Sequence, residues 1–240
     1  DAELDRYAAS DVEKSFDARE LVLAEFRPFN SRWLYFDRHF NGRTYQLPSL
    51  FPEYGENLVI SFLGIASSNP LAVFASDRIF DLGQLKNGNG GTQGVSRWRY
   101  TADGTRIDNI TDWGLKQFQG HYAANPSSSL SSSRRKPGPI GHSEETSPPV
   151  PGSAVGPGFR RDDGSVDGKP RKINKDDIFH YVYGVLHDPV YRETYAINLK
   201  REFPRIPFYP DFWAWADWGK RLMDLHIGYE NVEPWPLTRT

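Results

Sequence analysis

Between Asn125 and Lys169 the chain turns to serine, proline and glycine and carries very few large apolar side chains. That stretch constrains the fold more than any other feature. It cannot bury enough apolar surface to offset the entropy of ordering its backbone, which predicts a long disordered loop. Any core built by the 240 residues must therefore come from the two flanking parts. Long additions to a surface loop cost little stability, so such a loop can interrupt one fold. Within it, Ser133-Arg134-Arg135-Lys136-Pro137-Gly138-Pro139 and Gly156-Pro157-Gly158-Phe159-Arg160-Arg161-Asp162 can be encoded as reverse complements of each other. An inverted repeat inserted in the gene explains both segments. The basic run Arg134–Lys136 is then a by-product of that insertion and not a nucleic-acid arm.

The flanking parts differ in period. Residues 1–20 are acidic and read as a helical lead-in. Residues 21–124 are β-rich: the runs at Leu21–Phe26, Trp33–Phe36, Leu58–Phe62, Leu71–Phe74 and Arg97–Tyr100 are short and β-branched or aromatic. Asn41-Gly42, Asn87-Gly88 and Asp103-Gly104 punctuate them as turns require. Residues 170–240 are helical with an extended tail. Asn174 followed by Asp177 reads as a capping box, with Ile178, Tyr181, Val182 and Val185 as the buried stripe behind it. Asp188-Pro189 restarts a helix whose face runs Tyr191, Tyr195, Ala196, Leu199. Pro204, Pro207 and Pro210 force Phe203–Pro210 to be extended. A last helix puts Phe212, Trp215, Ala216, Gly219, Leu222 and Met223 on one side. The expected class is α+β, a mostly antiparallel sheet region followed by a small helical cluster and interrupted by the long Ser/Pro/Gly loop.

Composition excludes several functions. There is no cysteine, which removes disulfide scaffolds, thiolate-held zinc and thiol catalysis. Lys+Arg 29 against Asp+Glu 31 is no bulk polycation, so nucleic-acid binding would need local basic patches. No apolar run approaches a membrane span and no signal peptide is visible, so a cytoplasmic chain without a membrane partner is expected. Phosphate-loop, H-E-x-x-H and G-x-S-x-G signatures are absent. The loop Gly88–Gly94 lacks the lysine and following helix of a phosphate cradle. No catalytic residue and no metal ligand is expected.

Arginines interleaved with aromatics are the positive signal. Arg27, Arg32, Arg38 and Arg43 fall among Phe26, Phe29, Trp33, Tyr35 and Phe36, and Arg97-Trp98-Arg99 repeats the pattern. Guanidinium groups pair bidentately with guanine edges or phosphates. The same pattern also suits core aromatics flanked by solvated arginines, and spacing leaves both readings open.

Three blocks carry a resemblance. Glu25-Phe26-Arg27-Pro28-Phe29-Asn30-Ser31-Arg32-Trp33-Leu34-Tyr35-Phe36-Asp37 is similar to the block that follows the methyltransferase core in fused restriction–modification proteins. Ile110–Leu115 looks like a second block. The stretch from Ile173 to Pro189, continued through Asn198–Pro207, looks like a third and is the most specific. Together they resemble the C-terminal specificity region of type ISP restriction–modification enzymes, over most of Leu21–Trp235 apart from the Ser/Pro/Gly insertion.

The resemblance implies a module that reads double-stranded DNA. The activities it serves lie upstream in the same polypeptide: an N6-adenine methyltransferase with helicase and nuclease parts. S-adenosylmethionine, ATP and magnesium would belong to those parts and no cofactor to this one. Side-chain chemistry then selects Arg38, Arg43, Arg97, Arg99 and Lys86 to approach the duplex, with Gln93 and Asn89 as adenine readers. Two other readings stay open. The segment could complete a methyltransferase site, although its nearest approach to Asn-Pro-Pro-aromatic is Asn69-Pro70-Leu71. It could also be the remnant of a gene broken by the inverted repeat.

Overall fold

The computed structural model describes residues 9, 13–37, 39–41, 44–52, 56–63, 67, 69–85, 91–124, 165–166 and 169–234. Most of the expected disordered stretch lies outside them, as does most of the helical lead-in. What is described of the lead-in is irregular chain from Glu13 to Asp17 and a 3-10 turn, Ala18–Glu20.

Strands β1 (Leu21–Arg27) and β2 (Asn30–Tyr35) pair antiparallel, Leu21 opposite Tyr35 through Arg27 opposite Asn30. Pro28 and Phe29 turn the hairpin, with Phe29 at a φ of +59°. After one helical turn, α1 (Leu47–Leu50), strands β3 (Val59–Leu63), β4 (Val73–Ser76) and β5 (Thr92–Ser96) form an antiparallel sheet in the order β4-β3-β5. Every residue of β3 and β4 is buried, Ser61 and Ser76 included, so these runs show no alternation of apolar and polar residues. A single parallel bridge, Glu25 to Phe80, ties the hairpin to the sheet. A ribbon of β6 (Trp98–Tyr100) and β7 (Arg106–Asp108) follows, its loop containing Gly104 at a φ of +81°. A side chain is strained there, which accounts for the glycine. Ser165–Val166 (β8) and Lys169–Pro170 (β9) also pair, so the end of the Ser/Pro/Gly stretch contributes a short strand pair. The β-rich region thus consists of small separate sheets, because turns bend the chain between successive strand pairs.

The helices are α2 (Asp112–Ala124), α3 (Lys175–Leu186), α4 (Pro189–Thr194) and α5 (Phe212–Ile227). The expected capping box is present at α3. Asn174 Oδ1 accepts from the Asp177 amide at 2.9 Å, and Asp177 Oδ2 from the Asn174 amide at 2.9 Å. Beyond the expected stripe, α3 also buries Phe179, Tyr183 and Leu186, because it shares one core with α5 and with Ile60, Phe62, Val73 and Ala75 of the sheet. Asp188 caps α4 as expected, but that helix ends at Thr194 and leaves Tyr195 outside it.

The proline segment crosses the helices as an extended strap. Its prolines offer no N–H, and carbonyls at alternate positions of an extended chain share one edge. Three buried tyrosines, one from each of three helices, donate to that edge: Tyr191 to Arg205 O at 3.0 Å, Tyr181 to Pro207 O at 2.7 Å, Tyr122 to Tyr209 O at 2.6 Å.

Candidate nucleic-acid interface

The residues singled out in the sequence separate sharply. Arg38, Arg43, Lys86 and Asn89 lie outside the described residues. Gln93, Arg97 and Arg99 fall on β5 and at the start of the β6–β7 ribbon.

Arg97 points inward. It is 3% exposed, donates at 2.5 Å to Asp108 and at 2.5 Å to Asp176, and lies 3.7 Å from the centroid of the Trp98 ring. Two carboxylates match its single charge, so it is built as a clamp and not as a side chain that reaches a duplex. Lys175 extends the network, 3.1 Å from Asp108 and 2.7 Å from Asp112. Burial would raise the Asp108 carboxyl, but hydrogen bonds from Arg97 and Lys175 outweigh it and hold the group below the usual carboxylate range. The network joins the ribbon to the first turns of α2 and α3. Buried Asn57 secures the other side of the ribbon: its side chain donates to Trp98 O at 3.0 Å and accepts from Trp98 N at 3.1 Å.

Strand alternation gives this ribbon two faces. Trp98, Tyr100, Arg106 and Asp108 share one, where the Tyr100 hydroxyl donates to Glu56 O at 2.5 Å and the Arg106 guanidinium lies 4.4 Å from the Trp98 ring centroid. Trp98 therefore packs against two arginines. Arg99 and Ile107 share the opposite face, and both are exposed. Among the described residues Arg99 has no ion pair or hydrogen bond, so its charge is available to an outside anion. Gln93 is exposed on β5, opposite Phe62 in the register. It makes no side-chain hydrogen bond among the described residues.

Arg106 was not selected from the sequence. The signal that could have found it is the Asp103-Gly104 turn, which folds Arg106 back opposite Tyr100, diagonal to Trp98. Arg27 and Arg32 both lie over the Phe26 ring, at 4.0 and 4.5 Å, and Arg27 also pairs with Asp81 at 2.8 Å. Arg171 is likewise engaged, with Asp177 at 2.5 Å and over the Trp213 ring at 4.2 Å. Lys172, Lys200 and Arg201 are exposed without partners among the described residues. Within the same residues no cluster of three His, Asp or Glu is placed to hold a metal, and no helix is long and apolar enough to cross a membrane.

The family described as the type ISP C-terminal specificity domain matches residues 1–240. No functionally curated protein matches. Among solved structures, the chain is similar to the cryo-EM structure of a DrdV–DNA complex, at 39% identity and a TM-score of 0.74, over 98% of this chain and 18% of that one. It is also similar to a nuclease-deletion mutant of the type ISP restriction–modification enzyme LlaGI in complex with a DNA substrate mimic. There the identity is 26% and the TM-score 0.62, over 96% of this chain and 16% of that one. The ATP-dependent type ISP enzyme LlaBIII, bound to DNA, shares the fold at 19% identity and a TM-score of 0.66, over 100% of this chain and 13% of that one. The chain thus spans less than a fifth of each of these proteins.

Proposed function

The chain belongs to the type ISP C-terminal specificity domain family, and from that premise we propose that it reads double-stranded DNA for a type ISP restriction–modification enzyme. The match to a specificity domain over all 240 residues carries the reading. The DNA in the DrdV complex and the DNA substrate mimic in the LlaGI complex support DNA as the ligand. In this proposal methyltransferase and helicase–nuclease parts lie upstream in the same polypeptide, hold S-adenosylmethionine, ATP and magnesium, and work in the cytoplasm.

Within the chain, the reading face is the β6–β7 ribbon with the neighbouring β5. A major groove admits a two-stranded ribbon, and the unmatched guanidinium of Arg99 suits a phosphate or a guanine edge. Gln93 on β5 belongs to the same proposed set, while Arg106 braces Trp98 on the opposite face of the ribbon. Arg97 acts as the clamp that sets the ribbon on the helices. Arg38, Arg43, Lys86 and Asn89 belong to the same proposed duplex-contacting set.

The test is fluorescence anisotropy with labelled duplexes over a salt series. Arg99→Ala is expected to weaken binding about tenfold and, if Arg99 sits on a phosphate, to reduce the slope of log K against log salt by about one. Unchanged affinity and slope for Arg99→Ala and Gln93→Ala together would overturn the assignment of this face.

A further inference from the structure

One side of the β1–β2 hairpin carries an apolar group that the described structure covers only in part, leaving Leu21 and Trp33 exposed. The register places Leu21 opposite Tyr35 and Leu23 opposite Trp33, so these four side chains share one side of the hairpin. Phe16 of the lead-in stacks on Tyr35 with ring centroids 5.4 Å apart, and Phe40 meets the same ring edge-on at 5.8 Å. Trp33 is 72% exposed, Phe16 70%, Phe40 52% and Leu21 41%. Single exposed apolar residues need no explanation, but a contiguous group of this kind marks an interaction surface.

Resting on the reading above, we infer that this face seats the upstream part of the same polypeptide. The lead-in runs across the end of the face. Asp17 N donates to the Tyr35 hydroxyl at 3.0 Å, and Lys14 pairs with Asp37 just beyond β2. The described lead-in, from Glu13 to Asp17, therefore lies at the edge of the patch. The solved relatives devote more than four-fifths of their length to other parts, and the family is a C-terminal domain. The occupant is thus an apolar surface of the preceding domain, held next to Trp33 by covalent continuity. A tethered partner at high effective concentration needs only a modest interface.

Hydroxyl-radical footprinting of the complete polypeptide against the 240-residue chain reads this directly. Labelling of Trp33 is expected to fall at least about fivefold in the complete polypeptide, as for a residue in an interface core. Trp33→Glu is then expected to restore labelling of Phe16 and Leu21 in the complete polypeptide while leaving duplex binding by the 240-residue chain unchanged. Equal Trp33 labelling in the two proteins would overturn the inference. So would concentration-dependent dimerisation of the shorter chain abolished by Trp33→Glu, which would make a second copy the occupant. Weaker duplex binding by that variant would overturn it too, by placing the face against DNA. If the wild-type chain fails to bind duplex while Trp33 is still protected, the recognition reading fails and the docking surface stands.

Discussion

Gly219 has no room for a β-carbon. One built there would stand 1.8 Å from the His180 carbonyl oxygen, and one at Gly184 would stand 2.6 Å from the Trp215 carbonyl oxygen. The obstacles are backbone atoms of the facing helix, which cannot rotate away as a side chain can. These two glycines let α3 and α5 cross at near backbone contact, with Tyr181, Phe212 and Met223 filling the space around them. A helical glycine ordinarily costs about 1 kcal/mol relative to alanine. Here the order reverses: Gly219→Ala is expected to destabilise the chain by about 3 kcal/mol through overpacking. Urea unfolding of the wild type and the variant measures it, and a stabilised variant would mean the helices separate freely.

At the scale of elements, the proline strap shows how an extended segment without sheet partners is held. Tyr181 is its central post. Its hydroxyl donates to Pro207 O at 2.7 Å and accepts from Tyr209 N at 2.6 Å, and the residue is fully buried. Burial raises the hydroxyl's pKa further above neutrality, so it stays a donor at every working pH. Tyr181→Phe keeps the ring stacked on Phe212 but strands one carbonyl and one amide. It is expected to cost about 2 kcal/mol, and Tyr191→Phe, at the strap's end, about 1 kcal/mol. Thermal melts of the two variants should rank them in that order. Tyr181 and Tyr191 stand out in the sequence on the apolar faces of their helices, whereas Tyr122 falls in a part that reads as β-rich. That their hydroxyls line up on one edge of the strap is decided by helix placement, which no local pattern encodes.

Across the whole molecule, the hairpin, sheet and helices meet at a cluster of rings. Phe29 at the hairpin turn stands edge-on to Phe74, His226 and Tyr229, and His226 stacks on Phe74 at 5.1 Å. His226 Nδ1 and the Tyr183 hydroxyl are 2.5 Å apart, and His187 Nδ1 lies 2.8 Å from Tyr183 O. Burial lowers the pKa of both histidines, and that of His187 falls to about 4. The folded state therefore holds His187 neutral where the unfolded chain would bind a proton. Its contribution is fully present above the unfolded value near 6.5 and is lost as pH falls through about 4. The loss is expected to be about 2 kcal/mol after discounting for solvent screening. Asp108 and Asp112, held below the usual range by their cationic partners, lose their contributions at lower pH still. Denaturant unfolding between about pH 7 and pH 4 should show the decline, and His187→Gln should flatten it. An unchanged slope in that variant would exclude His187 as its source.

The residues alone determined the α+β class, the runs of β1–β4 and β6, the helices after Asn174, Asp188 and Pro210, and the family. The helix Asp112–Ala124, inside the part read as β-rich, and the strands β5 and β7 were not legible. The capping box at Asn174, the proline-fixed strap and the aromatic blocks are local signals, set by backbone sterics and short-range hydrogen bonding that the adjacent residues specify. Tertiary structure decided the fate of the arginines. Arg97 and Arg99 stand two apart in one aromatic-flanked pattern, and nothing local separates them. Asp176, from a helix on the far side of the Ser/Pro/Gly stretch, and Asp108, across the ribbon, bury the first. Alternation alone would put both on one side; the bend at Arg97 between β5 and β6 takes it out of the strand, while Arg99 within β6 faces solvent. The number of opposite charges that the fold brings to a guanidinium decides whether it serves as a clamp or faces a ligand, and those charges come from residues distant in the sequence.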